Sequence, residues 1–134
     1  MYERIRFVEH ARDYANDRVV FDRPIGMNQG VQFPIAESYI ELQAADLMRF
    51  RACALFDAQK PCGAEANMAK YLAAKASWEA ANACIQFHGG FGFACEYDVE
   101  RKFRETRLYQ VAPISTNLIL SYMAEHVLGL PRSF

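Results

Sequence analysis

The stretch Ala73-Ala74-Lys75-Ala76-Ser77-Trp78-Glu79-Ala80-Ala81-Asn82-Ala83-Cys84-Ile85-Gln86-Phe87-His88-Gly89-Gly90-Phe91-Gly92-Phe93 decides how the rest of the chain is read. Most of it is a helical pattern. Tyr71, Ala74, Trp78, Ala81 and Ile85 recur at helical spacing, and the alanines at 69, 73, 74, 76, 80, 81 and 83 let another helix approach closely. The pattern then runs into Gly89, Gly90 and Gly92. Each glycine in a helix costs about 1 kcal/mol relative to alanine, so the cluster marks a sharp turn or a place where another group comes near the backbone. One glycine would suffice to end a helix. Three of them, one turn after Gln86 and among His88 and three Phe rings, form an elbow suited to a flat ligand with polar edges.

Working outward, residues 2–17 predict a charged amphipathic helix with Ile5, Val8 and Tyr14 among its apolar positions. It begins without a capping signature, as if opening turns preceded it. Pro24, Gly26, Asn28 and Gly30 make Val19–Gly30 a loop. The next helix takes Pro34 in its first turn, where proline is tolerated, and runs to about Ala58. Its core face is expected at Ile40, Ala44 and Leu47. Lys60-Pro61-Cys62-Gly63 breaks it, and a third helix spans about Ala64 to Phe87. Asp98 is placed to cap a short helix ending near Leu108. After Pro113, Ser115 or Thr116 caps a last helix with Ile119, Tyr122, Met123, His126 and Val127 on one face, ended by Gly129 and Pro131. No strand and no internal repeat is expected. Long helices joined by short breaks predict an all-α antiparallel four-helix bundle with an additional short helix.

Composition narrows the function classes. The 134 residues suit one domain, and a hydrophobic content of 52% excludes disorder. A net charge of -1 gives no reason for a nucleic-acid or anionic-membrane partner. No apolar run reaches the ~18 residues of a membrane helix, and the start lacks a signal-peptide core, so the cytoplasm is the expected location. Cys53, Cys62, Cys84 and Cys95 form no CxxC pair and have no histidine at zinc spacing. They are expected to be reduced, mostly buried thiols, with no metal site.

Several residues could carry chemistry. Tyr14 and Arg18 share a helix face near a C-terminus. There an arginine completes the helix dipole, or its planar guanidinium holds a phosphate in a bidentate way. Gln29 could satisfy amides at a helix start or bond a ligand edge. His88 has no readable triad partner and is expected to be structural or at a ligand edge. Glu100 and Arg104 form an i,i+4 pair on a charged helix, or Arg104 anchors a loop or an anionic substrate.

Taken together, these motifs resemble one family. Tyr14 through Ile25, Asn28-Gln29-Gly30-Val31-Gln32, Met68-Ala69-Lys70, Gln86 through Phe93, Glu96 through Arg101 and Arg104 through Val111 match, in order and spacing, the C-terminal helical domain of acyl-CoA dehydrogenases. The resemblance implies FAD as cofactor, an acyl-CoA substrate and a homo-oligomer, a dimer or tetramer. It also implies a parent about three times as long, whose N-terminal helical and middle β-domains are not in residues 1–134, a single helical domain. Arg18 matches the arginine at the FAD pyrophosphate, Phe21 the aromatic packed beside it, and Gln29 a glutamine touching FAD. Gln86, Phe87, His88, Gly89 and Gly90 match a segment on the adenosine half of FAD, usually from a neighbouring subunit. Ser115 and Asn117 fall where family members contact FAD.

One departure stands out. Many members carry a catalytic glutamate at the position held here by Pro113, which cannot act as a base. No catalytic residue is therefore expected in this chain. The resemblance implies that some members place the base on the first helix instead, at a position that would lie before Met1, so residues 1–134 do not show whether the parent has a base. The expected function is FAD-binding and oligomer contacts within an acyl-CoA dehydrogenase, the domain being inactive alone. The alternatives are a helical module that only oligomerises, or a member running another FAD- and CoA-thioester reaction.

Overall fold

The computed structural model describes residues 2–133, with side chains from Arg6 onward. It is built on helices α1 (Tyr2–Asp17), α2 (Gln29–Asp57), α3 (Gly63–His88), α4 (Val99–Leu108) and α5 (Thr116–Tyr122). Tight 3-10 turns fill Ile25–Met27, Gly89–Phe93 and Cys95–Tyr97, and a π-turn covers Met123–Val127. The 58–62 connection is too short for anything but antiparallel packing of α2 on α3. Helix α3 is the central element: α1, α2, α4 and α5 all pack on it.

Small residues make that position possible. Ala73, Ala74, Ala76, Ser77, Ala80, Ala81 and Cys84 are buried along α3, so neighbouring backbones come close. The core adds Phe7 and Ala11 of α1, Leu42 of α2 and Val99 of α4. Tyr71, Trp78 and Ile85, expected on the core stripe, are only half-buried. Ser77 Oγ is buried with no hydrogen-bond partner among the described residues, so this stripe uses the size of serine rather than its hydroxyl.

The structure corrects several expectations. Val19–Val20 and Arg23–Pro24 form a two-strand antiparallel ladder, β1 and β2, where a loop was expected. Its turn places Phe21 and Asp22 at φ 53° and 62°, a left-handed bend with no glycine to announce it. Helix α2 begins at Gln29, so Pro34 lies inside it rather than in its first turn. Ile40, Ala44 and Leu47 are exposed; α2 buries Ser38, Leu42 and Ala45 instead. On α1 the buried positions are Phe7, Ala11 and Ala15, with Val8 and Tyr14 half-buried, while Ile5 lies outside the described side chains. Asp98 occupies the cap position of α4 at φ 58° without a side-chain cap bond; its carboxylate pairs with Arg101 instead, at 2.6 Å. Ser115 does cap α5, accepting from the Leu118 N–H at 3.3 Å. The π-turn, closed by Leu128 N–H to the Met123 carbonyl, rotates His126 and Val127 out to solvent. Only Cys84 is buried; Cys53 and Cys95 are exposed. Among the described residues no helix is long and apolar enough to cross a membrane.

Candidate cofactor-binding cleft

The end of α1 and the end of α3 meet at one open cleft. It holds about 420 Å³ and is lined by Tyr14, Arg18, Val20, Ile25, Phe87, His88, Gly89, Gly90 and Phe91. Two local devices bring these residues together. Around Arg18, the backbone N–H bonds the Tyr14 carbonyl and the carbonyl accepts from Ile25 N–H, both at 2.9 Å. The β1–β2 hairpin thus folds back beside the helix end and fixes the arginine's backbone on both sides.

At the other wall, Gly89 terminates α3 at φ 55°, a conformation glycine adopts without a side-chain penalty. Gly92 then lies so near the last turn of α3 that a Cβ would sit 2.8 Å from the Ile85 carbonyl oxygen. Gly90 differs: its φ is not positive, and a Cβ would meet nothing within 4 Å. No packing among the described residues requires glycine there, and the position is open to solvent on its Cβ side.

A stack of rings supports the floor. Tyr14 lies on His88 at 4.1 Å between centroids, and Tyr97 stands edge-on to both. His88 is buried, and its Nδ1 donates to the Cys84 carbonyl oxygen at 2.8 Å. Burial holds its pKa below the ordinary histidine value, with the nearby His10 acting in the same direction and the Cys84 carbonyl opposing. The imidazole is therefore a neutral structural ring. The Cys84 thiol beside it is pushed up to about 12 by burial.

The guanidinium of Arg18 has neither an ion pair nor a side-chain hydrogen bond among the described residues; it meets the face of Phe91, 5.5 Å from the ring centroid. Two arginines of α4 are occupied. Arg101 bridges Asp98 and Glu105 at 2.6 Å, and Arg104 pairs with Glu100 at 2.9 Å on a solvated face. Arg18 thus presents free N–H donors at a cleft mouth, as an anion-binding arginine does.

The remaining expected site residues fall elsewhere. Phe21 is 94% exposed at the hairpin tip, and Gln29 is exposed at the first residue of α2. Gln86 turns into an adjoining groove of about 630 Å³ between α2 and α3, which Phe87 also lines. Ser115 and Asn117 are at the start of α5. That end is near the beginning of α3, where Lys70 Nζ donates to the Tyr109 carbonyl. From Lys70 to Gln86 the α3 axis advances roughly 24 Å, so these two residues share no cleft with Arg18. Val20 and Ile25 line the cleft without having been singled out, and Tyr14 and Phe91 were noted only as the helix-face neighbour of Arg18 and as a ring of the elbow. Tyr14 was the readable one, a single helical turn before Arg18.

Residues 4–128 match the family of the acyl-CoA dehydrogenase C-terminal domain. The chain belongs to the acyl-CoA dehydrogenase family. It is 43% identical over 126 residues to the acyl-CoA dehydrogenase FadE12 of Mycobacterium tuberculosis, covering 92% of this chain and 32% of that protein. A solved glutaryl-coenzyme A dehydrogenase in complex with glutaryl-CoA superposes with a TM-score of 0.89 at 31% identity, over 97% of this chain and 33% of that one. An FAD complex of PigA superposes with a TM-score of 0.89 at 25% identity, over 95% and 33%. The chain therefore spans about a third of the length of these acyl-CoA dehydrogenase relatives, and the shared part is the C-terminal helical domain.

Proposed function

We propose that this chain is the C-terminal domain of a longer, cytoplasmic, FAD-dependent acyl-CoA dehydrogenase of fatty-acid metabolism. It contributes FAD and oligomer contacts and is inactive alone. One observation carries the reading: the Arg18 guanidinium, without an acidic partner among the described residues, and the open backbone at Gly90 line a single cleft. In this reading Arg18 takes the FAD pyrophosphate in a bidentate way. The elbow Phe87-His88-Gly89-Gly90 lies along the adenosine half, with Gln86 reaching it from the adjoining groove. A bound flavin would supply the hydride acceptor for the desaturation, with Arg18 and the 87–90 elbow of this chain holding it. Phe21 and Gln29, exposed at the same end, suit coverage by a second subunit. Ser115 and Asn117, at the other end of α3, suit contact with another portion of FAD. Pro113 itself cannot take the α-proton.

The test is flavin titration of the parent enzyme. Arg18→Ala is expected to weaken FAD binding by about 1.5–3 kcal/mol, roughly ten- to a hundred-fold. Unchanged affinity would reject the assignment. A second reading, a helical module that only oligomerises, draws on the exposed apolar face of α2. A parent that purifies colourless and takes up no added FAD would favour it.

A further inference from the structure

We propose that Phe91 is a positioning residue that holds the Arg18 guanidinium at the mouth of the cleft before any anion arrives. The inference rests on the flavin reading of that cleft and adds a residue to it. A long arginine side chain without an acidic partner ordinarily samples many rotamers, and ordering it on binding opposes affinity. Here the guanidinium lies against an aromatic face, 5.5 Å from its centroid, within the range at which a ring quadrupole attracts a cation. Such a contact orders the arginine while leaving its N–H donors free, which a carboxylate partner would not.

Phe91 is itself braced, so it can act as a fixed support. It packs on Tyr97 at 5.4 Å. Tyr97 rests edge-on against Tyr14 and His88, and His88 is tied to α3 through the Cys84 carbonyl. On its C-terminal side, Gly92 is pressed onto Ile85. The ring therefore belongs to the rigid elbow while its outer face remains in the cleft, 45% exposed. The hairpin holds the Arg18 backbone, and Phe91 holds the other end of its side chain.

The experiment is a double-mutant cycle on the parent enzyme, read by FAD titration. Phe91→Leu keeps bulk but removes the quadrupole and is expected to weaken FAD binding about three-fold. Phe91→Tyr keeps the ring and should restore wild-type affinity. In an Arg18→Ala background, Phe91→Leu should have no further effect. Two results would overturn the proposal while leaving the flavin reading intact. One is wild-type affinity in Phe91→Leu when Arg18→Ala loses flavin. The other is a Phe91→Leu penalty that persists in the Arg18→Ala background, which would mean a direct ring–ligand contact. Full flavin retention in Arg18→Ala would defeat the reading and the proposal together.

Discussion

Two faces of this domain read alike as apolar helical periodicity, yet they have opposite fates. The inner face of α3 is made of alanine, serine and cysteine and is buried throughout. The outer face of α2 carries Phe33, Ile40, Leu47 and Phe50, each more than half exposed. Periodicity shows that a face is apolar; residue size tells how the face is used. Small side chains suit the centre of a bundle, where several helices must approach one axis. Large side chains arranged along an outer face suit a surface that meets another body.

The inner face offers the largest effect. Ala81 is fully buried, and Ala81→Leu forces extra methylenes into a closed space. The expected cost is about 1–3 kcal/mol, seen as a lowered thermal midpoint. A substitution there without loss of stability would show that the stripe is looser than its burial indicates.

The inner face ends at His88, which gives an intermediate effect. Its pKa is lowered in the fold by burial, while in the unfolded chain it is about 6.5. As pH falls below that value, the unfolded state takes up a proton that the folded state refuses. Stability should therefore be at its full value above about pH 6.5 and decline as pH drops toward the folded pKa. Chemical denaturation across this range should show a weaker decline in His88→Gln. An equal slope in both proteins would remove His88 from the explanation.

The helices were legible because their spacing and breaks agree; of the expected caps only Ser115 makes its bond. The expected span 2–17 is α1, and about 64–87 is α3 to within a residue at each end. The hairpin was not legible, because a two-residue ladder leaves no alternation to read and its left-handed turn uses Phe21 and Asp22. The face of α2 was misassigned because Ile40, Ala44 and Leu47 have the spacing of a core stripe and no counterpart that marks them as outward. In the site, the pairing of Arg18 with the glycine elbow was legible only through the family resemblance; residue chemistry alone left each motif with a structural alternative. The separate reasons for the glycines were not. Gly89 serves a left-handed turn, Gly92 a backbone contact, and Gly90 neither, distinctions that only three-dimensional neighbours reveal. The contact of Phe91 with Arg18 was hidden for the same reason, since it joins residues 73 positions apart.

The outer face of α2 gives the smallest effect on the fold and the clearest contrast. Ile40 and Leu47 are 66% and 71% exposed, so replacing both with glutamine removes little buried area. Each change is expected to alter folding stability by no more than about 0.5 kcal/mol. Exposed apolar area still favours association by burial, so the wild-type chain should self-associate at high concentration and the double variant should do so less. Sedimentation velocity over a concentration series separates the two quantities. If the wild-type domain stays monomeric, this face needs no partner and the contrast with α3 reduces to residue size alone. If association is strong but indifferent to Ile40→Gln and Leu47→Gln, the contact belongs elsewhere. The exposed Leu118, Leu128 and Leu130 near the C-terminus would then be the next residues to change.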